Sequence, residues 1–272
     1  MKILITGAGG FVGSELLKRL AAHELVLPSR APEKLKPAGR ASCPPFTPDL
    51  ERLVADQRPD VVINLLGIIR ESAGESFGLV HEEYTRRLLA GARAAGVKKF
   101  IQMSALGAAP DAPSAYHRSK YAGEELVKAS GLPYVIFRPS LITGPGQKLL
   151  AELRSISRFT PVLAAPSDCL AAPLPVEEVA ACFARAAEDS AVVVALFELA
   201  GDRVMNFREI FAEALASMGL RRPVIGLPLK AFFPLLPLFR LFPVPPMTPE
   251  QYRMLMRPNL PSGAFRGVRD LI

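Results

Sequence analysis

The chain has 272 residues, half of them hydrophobic and 22% charged, with a formal net charge of +7. That size and balance fit one large α/β domain, or a main domain with a small lobe, and exclude a disordered chain. The positive excess is scattered in short clusters at 86–87, 98–99 and 221–222, with no basic arm and no stripe interleaved with aromatics, so nucleic acid is not an expected partner.

The first run, "KILIT" (2–6), is apolar and β-branched and stops at glycine, which predicts a buried strand. "TGAGGFVG" (6–13) follows it and opens a helix over 11–22. Gly7 permits a tight turn, Gly10 lets backbone approach a pyrophosphate, and Gly13 lets the helix pack close to the sheet. The helix N-terminus adds a positive field for phosphate. "ELVLP" (24–28) is a second strand. At its end, where an acid would hold a ribose 2′-hydroxyl, stand Ser29 and Arg30. A guanidinium suits a phosphate dianion, so this position favours NADP(H), with NAD(H) as the alternative.

Further along, "TPDLERLVADQ" (47–57) predicts a helix with Thr47 as N-cap and Pro48 in its first turn. "DVVINLLG" (60–67) is a buried strand, 81–96 a helix ended by Gly96, and "KKFIQMSA" (98–105) a strand. A helix over 114–130 and the strand "YVIFRPS" (134–140) come next. Strands alternating with helices predict a parallel, doubly wound sheet of Rossmann type. It would occupy 1–145, with contributions from later segments. Residues 146–272 would form a smaller, mostly helical substrate lobe. Helices are expected near 147–158, 176–188, 207–218 and 248–257, with a strand at 197–201.

Within "SAYHRSK" (114–120), Tyr116 and Lys120 share one helix face. A nearby ammonium lowers a phenol's pKa, as proton transfer requires. Ser104 stands at the carboxyl end of a strand, where open α/β sheets bind ligands. Taken alone, the tyrosine and lysine are equally two polar residues on an ordinary helix.

The pieces "TGAGGFVG", "VVINLLG", "TRRLLAGARAAGVKKFIQMSALG", "SAYHRSKYAGEE", "FRPSLITGPG" and "PLPVEEVAACFARAAE" together resemble the short-chain dehydrogenase/reductase superfamily, in its extended, NAD-dependent epimerase/dehydratase-like branch. Within that branch the chain is most similar to the group of the NADPH-binding accessory subunit of respiratory complex I. The resemblance implies Tyr116 as acid/base, Lys120 as its partner and Ser104 as the third member. It implies a dinucleotide lying along Gly7, Gly9, Gly10, Phe11, Val12 and Gly13, beside Ser29 and Arg30. Asn64, Leu65, Gly67, Met103, Pro139 and Ser140 would complete that site.

The chain also departs from that pattern. "ASCPPF" (41–46) offers no acid for an adenine amine, and His81 and Tyr84 bring bulk that would narrow the site. The serine precedes the tyrosine by only twelve residues, which shortens the loop that would hold a sugar nucleotide. Glu177 and Glu178 favour a helix N-terminus, and His117 is read as a solvated neighbour of the site. No spacing of His23, His81 and His117 suits a metal. Arg138 meets either an anionic substrate or an ion-pair partner.

Three scattered cysteines and no signal-peptide pattern point to a reducing compartment, hence the cytoplasm. The apolar, proline-rich stretch 223–246 is a core element, a cleft cover, or a docking surface for a membrane or protein. Oligomeric state is not readable. The expected function is hydride transfer between a nicotinamide and a carbonyl or alcohol carbon of an apolar small molecule, by an oxidoreductase or epimerase. The alternative is a non-catalytic nucleotide-binding scaffold or redox sensor at a membrane complex.

Overall fold

Successive residues of a strand leave on opposite faces, and the first strand shows the consequence. Ile3 and Ile5 pack with Leu16, Leu20 and Phe183 on one side of the sheet, while Leu4 packs with Val54, Leu88 and Phe100 on the other. Each face therefore needs a helical layer. The computed structural model, which describes residues 1–239 and 245–272, supplies both.

The chain runs β1 (Lys2–Thr6), α1 (Phe11–Arg19), β2 (Glu24–Val26), β3 (Ala41–Ser42), α2 (Leu50–Gln57), β4 (Val61–Asn64), α3 (Tyr84–Ala94), β5 (Lys99–Met103), α4 (Ala115–Lys128) and β6 (Tyr134–Pro139). It continues through β7 (Ile142–Thr143), α5 (Lys148–Ser157), β8 (Leu163–Pro166), β9 (Leu170–Ala171), β10 (Leu174–Pro175), α6 (Val176–Glu188), β11 (Ala195–Leu199), β12 (Met205–Asn206), α7 (Phe207–Ser217), β13 (Val224–Leu227), α8 (Leu236–Phe239) and α9 (Pro249–Met254).

Seven strands form one parallel sheet in the order β11-β6-β5-β4-β1-β2-β3. The order reverses between β1 and β4, which opens a crevice at the carboxyl edge, where ligands of doubly wound sheets bind. β11 comes from the second half of the chain, so the late segments complete the sheet. α1 and α6 cover one face; α2, α3 and α4 cover the other. Burying Phe100 and Phe137 completely stabilises this core by about 1.5–3 kcal/mol each.

Two local expectations are corrected. Asp49, not Thr47, caps α2, because its carboxylate accepts from the Arg52 amide at 3.2 Å while the Thr47 hydroxyl accepts from Asp49 N–H one step earlier. The helix expected from 81 begins earlier, as a π-helical turn over Gly78–Glu83 that runs into α3. Of the segment 223–246, β13 pairs with β8, and Leu229, Phe232 and Leu236 are buried beside Met247. Phe233, Leu235 and Leu238 point outward. Residues 240–244 of that segment, including Arg240, lie outside the described residues.

Candidate active site

The glycine turn joins β1 to α1 at the crevice. Gly7 has φ +73°, and Gly10 N–H donates to its carbonyl at 2.9 Å. A Cβ on Gly13 would lie 2.4 Å from the Gly7 oxygen, so only glycine permits this approach. α1 begins without a side-chain cap and without an acid in its first turn. Its first amides and its positive end are thus free for an anion.

A cavity of about 500 Å³ extends from this turn. Gly7, Gly10, Phe11, Val12, Gly13, Leu65, Gly67, Met103, Ser104, Tyr116, Lys120, Pro139 and Ser140 all line it. Gly9, Ser29, Arg30 and Asn64 do not.

Asn64 has a different task. It is fully buried, accepts from Thr6 Oγ at 2.7 Å and donates to Gln102 and Thr85 at 2.9 and 3.2 Å. It clamps β1, β4, β5 and α3 beneath the cavity. After β2 and outside the cavity lining, Ser29 Oγ accepts from Ala31 N–H, and Arg30 is ion-paired with Glu75 at 2.5 Å. Along the chain the next acid after Arg30 is Glu33; the loop after β4 instead delivers Glu75.

α4 sets the chemistry. Ser114 caps it, accepting from His117 N–H at 3.1 Å. The Glu250 carboxylate accepts from Tyr116 N–H at 2.9 Å, satisfying another orphan amide from α9. The Tyr116 ring sits edge-on to Phe77, His81 and His117, with centroids 5.9, 5.6 and 5.1 Å away. Tyr116 lines the cavity, and burial pushes the pKa of its phenol up to about 12. The expected lowering by Lys120 is not present. The Lys120 ammonium instead donates to the Met103 and Leu66 carbonyls at 3.2 and 3.4 Å, and burial brings its pKa down to about 8 against the opposing pull of Glu124.

His81 does not obstruct the site. It stands behind Tyr116, accepting from Ile68 N–H at 3.1 Å, with Nδ1 2.8 Å from Ser119 Oγ. Ser119 in turn donates to the Tyr116 carbonyl at 2.8 Å. Burial, with the Lys120 charge adding to it, lowers the His81 pKa to about 2. The ring is therefore neutral and ties the loop after β4 to α4. Tyr84 packs on Phe46, away from the cavity. His117 is not solvated as expected: it is buried in the cavity wall, and burial brings its pKa down to about 4.

Ser104 also departs from expectation. Its hydroxyl donates to the buried Glu124 carboxylate at 2.5 Å. The next residue in the cavity wall is Ala105, which carries no hydroxyl. Glu124 is gripped by Arg138 at 2.8 and 2.6 Å, and Arg138 also lies 3.7 Å from Glu198. Arg138 is thus a buried ion-pair partner joining α4, β6 and β11, and not a cavity residue.

The sequence reading missed Glu124, Glu152, Glu250, Gln251 and Asn259. Glu124 carried a usable signal, since it continues the i, i+4 face of Tyr116 and Lys120. The others come from the second half of the chain, where no periodicity points at the site. Asn259 accepts from Ser140 Oγ at 2.5 Å and lines the cavity.

The family model of the NAD dependent epimerase/dehydratase family matches residues 3–166. Ceramide reductase of Caulobacter vibrioides is 32% identical over 248 residues, covering 83% of this chain and 73% of that protein. Subunit 9 of the NADH dehydrogenase (ubiquinone) 1 alpha subcomplex of Arabidopsis thaliana mitochondria is 28% identical over 229 residues, covering 79% of this chain and 57% of that protein. Among solved structures, the Bordetella bronchiseptica enzyme WbmG in complex with NAD superposes with a TM-score of 0.68 at 20% identity, covering 84% of this chain and 81% of that one. MoeE5 in complex with UDP-glucuronic acid and NAD gives 0.71 at 22% identity, covering 84% and 86%.

Proposed function

This chain belongs to the NAD-dependent epimerase/dehydratase family, and from that premise we propose that it is a nicotinamide-dependent reductase of a carbonyl carbon on an apolar, lipid-like molecule. The observation that carries the reading is the cavity itself. It joins the glycine turn and Tyr116 at one end to a wall of Leu149, Phe207, Phe211, Met247, Met254 and Leu255 at the other. A nucleotide sugar would leave those apolar side chains unpaired; an acyl chain would cover them. The relative named ceramide reductase supports the same choice.

The cradle fits a dinucleotide: Gly13 admits no side chain, and the α1 N-terminus carries no competing acid. Gly7, Gly10, Phe11, Val12 and Gly13 would hold the pyrophosphate, with Leu65, Gly67, Lys120, Pro139 and Ser140 toward the nicotinamide end. When bound, the dinucleotide supplies the hydride. Tyr116, neutral at physiological pH, gives its phenolic proton to the substrate oxygen as the carbonyl becomes an alcohol. Lys120 brings a positive charge beside that oxygen and a donor for a ribose hydroxyl. His81 and Ser119 hold the Tyr116 backbone in place, and Ser104 braces Glu124 rather than the substrate. The coenzyme favoured is NADP(H), through Arg30.

The reading extends to location. The three cysteines are free, which supports a reducing compartment such as the cytoplasm. No helix among the described residues is long and apolar enough to cross a membrane. The outward Phe233, Leu235 and Leu238 would rest on a lipid surface, from which an apolar substrate is drawn.

The test is NADPH oxidation with long-chain ketones, with and without Tyr116→Phe. Turnover that the variant loses supports the reductase. The second reading, a nucleotide-stabilised scaffold, is favoured by the mitochondrial complex I relative. It requires tight dinucleotide binding without turnover on any ketone.

A further inference from the structure

One side of α5 lines the cavity through Leu149 and Glu152. Another side bounds a second hollow, of about 370 Å³, walled by Gln147, Ala151, Arg154, Ser155 and Arg158, with Met218 reaching it from the end of α7. Positions 147, 151, 154 and 158 recur at helical spacing, so Arg154 and Arg158 are neighbours on one stripe of α5.

The same corner gathers further cations. Leu220 packs on the cluster of Leu153, Leu163 and Leu215, and Leu163 N–H donates to the Pro223 carbonyl at 3.0 Å. Arg221 and Arg222, between those two anchors, are thereby held at the end of the lobe where α5 passes into β8. All four arginines are exposed. The acids of these elements are engaged elsewhere. Glu152 pairs with Arg70, which also donates to Gln251; Glu213 pairs with Arg203; Glu209 closes the capping box of α7. None of the four guanidinium groups has a carboxylate within 4.0 Å among the described residues. The dipole of α5 favours cations at its C-terminal end, but that concerns Arg154 and Arg158 alone.

An apolar side chain stands among these charges. Phe159, next to Arg158, is 83% exposed, more than any other large apolar side chain described, and Val162 is exposed beyond it. The turn that carries Phe159 is ordered: Phe159 and Thr160 N–H donate to the Ile156 carbonyl at 3.0 and 3.1 Å, and the Thr160 hydroxyl donates to it at 3.1 Å. A phenylalanine held in water by bonded backbone, beside unpaired guanidinium groups, marks a contact surface.

We propose that this corner docks on an anionic membrane, with Arg154 and Arg158 holding a lipid phosphate in the hollow and Phe159 entering the acyl boundary. Charge complementarity carries the choice of anion: a guanidinium fork matches phosphate oxygens, and the Ser155 hydroxyl adds a donor. Phe159 carries the choice of lipid, because a free phosphate in water gives its ring nothing to bury against. Arg221 and Arg222 would meet neighbouring headgroups. The site rests on the lipid-surface part of the reading above and adds to the apolar segment a place for the headgroup. Because α5 walls the cavity as well, docking here would set the cavity beside the bilayer.

The experiment is co-sedimentation of the full chain with phosphatidylcholine vesicles, with and without phosphatidylglycerol. Arg154→Gln with Arg158→Gln should lower partitioning onto the anionic vesicles by about tenfold or more, and Phe159→Ser by several-fold. Arg19→Gln with Arg93→Gln removes the same charge from exposed positions on α1 and α3 and should change partitioning little. NADPH oxidation with a short, water-soluble ketone should hold in every variant. If the α5 pair melts early, Arg221→Gln with Arg222→Gln decides in its place. Partitioning that survives the corner substitutions, or falls equally in the α1 and α3 control, overturns the proposal. Release from the vesicles by millimolar glycerol phosphate also overturns it, since the ligand would then be a soluble phosphate. Turnover is read separately. Arginine-dependent vesicle binding without ketone reduction sinks the reductase reading and leaves the docking site standing; reduction with arginine-independent binding does the reverse.

Discussion

Arg30, which follows β2, and Glu75, in the loop after β4, form an ion pair of 2.5 Å, with the Arg30 side chain 73% exposed. A pair so exposed is worth about 0–1 kcal/mol, so a phosphate dianion can displace the carboxylate. On the proposal that Arg30 meets the 2′-phosphate of NADP(H), Glu75 would compete with that phosphate. Glu75→Gln should tighten NADPH several-fold and leave NADH unchanged, whereas Arg30→Ala should weaken NADPH by about tenfold. Equilibrium titration of nicotinamide fluorescence checks both. An Arg30→Ala variant with unaltered NADPH affinity would exclude Arg30 from coenzyme choice.

Ser104 and Tyr116 stand in the same cavity wall, but only Tyr116 presents a hydroxyl not already donated. Tyr116→Phe should lower kcat by about 10²–10⁴ while dinucleotide affinity holds. Ser104→Ala should cost kcat less than tenfold, and it should lower Tm because Glu124 loses a charge-assisted hydrogen bond. Steady-state kinetics beside thermal melts separate the two. A Ser104→Ala loss as large as that of Tyr116→Phe would restore serine to the chemistry.

How far the sequence could be read follows from range. β1, β4, β5 and β6 are short apolar runs bounded by turn residues, and burial of both faces leaves little else for them to be. The Gly7–Gly13 spacing and the Tyr116–Lys120 pair are also local, and all line the cavity. Their electrostatics are not local. The Tyr116 phenol responds to enclosure by Phe77, His81 and His117, and Lys120 turns to the carbonyls of Leu66 and Met103. Asn64 sits where a dinucleotide residue would, yet three neighbouring elements claim its side chain. Arg70, Glu152 and Gln251 meet only once three distant segments are folded, and no spacing announces them.

Lys120 gives the pH dependence its sign. Burial brings its pKa from 10.5 down to about 8, so the ammonium persists below about pH 8 and is lost as pH rises through it. Tyr116, at about 12, stays protonated throughout. The kcat/KM for reduction should be level from pH 6 to about 8 and then fall by up to tenfold per unit. Stability moves the other way. Between about 8 and 10.5 the unfolded chain binds more proton at this position than the folded one, so this group's contribution rises with pH. Lys120→Met should abolish the alkaline limb of whatever activity survives. A rate still level at pH 10 would show that the ammonium is not needed.

Arg138 and Glu124 are a buried pair with two short hydrogen bonds, and a second carboxylate, Glu198, lies 3.7 Å from Arg138. Arg138→Met would remove the cation beside Glu198 and leave Glu124 with the more distant Lys128 ammonium, 3.9 Å away. The expected loss is about 3–5 kcal/mol. Arg269→Met, which breaks an ion pair with Asp202 that is about four-fifths exposed on both sides, should cost about 0–1 kcal/mol. Urea titrations measure both. Equal effects would mean that the Arg138 network adds nothing beyond a surface pair.

Phe233 and Leu238 are 63% and 53% exposed on the described part of the apolar segment, next to the solvent-facing Lys230. Their neighbours Phe232 and Leu236 are buried against the protein, so the outward side chains are held in place by a fixed base. Burying a Phe or Leu side chain in the lipid interface contributes about 1.5–3 kcal/mol, and an anionic headgroup adds attraction for the lysine. The protein should therefore co-sediment with phosphatidylglycerol vesicles and less with phosphatidylcholine alone. Phe233→Ser with Leu238→Ser should reduce the bound fraction by about tenfold or more. Both side chains are largely exposed, with Phe233 also meeting the Tyr252 ring at a centroid distance of 5.6 Å, so Tm should change little, and activity on a short, water-soluble ketone should hold with it. Sedimentation unchanged by the double substitution would move the membrane contact off this segment, whereas a falling Tm would show that these side chains belong to the core.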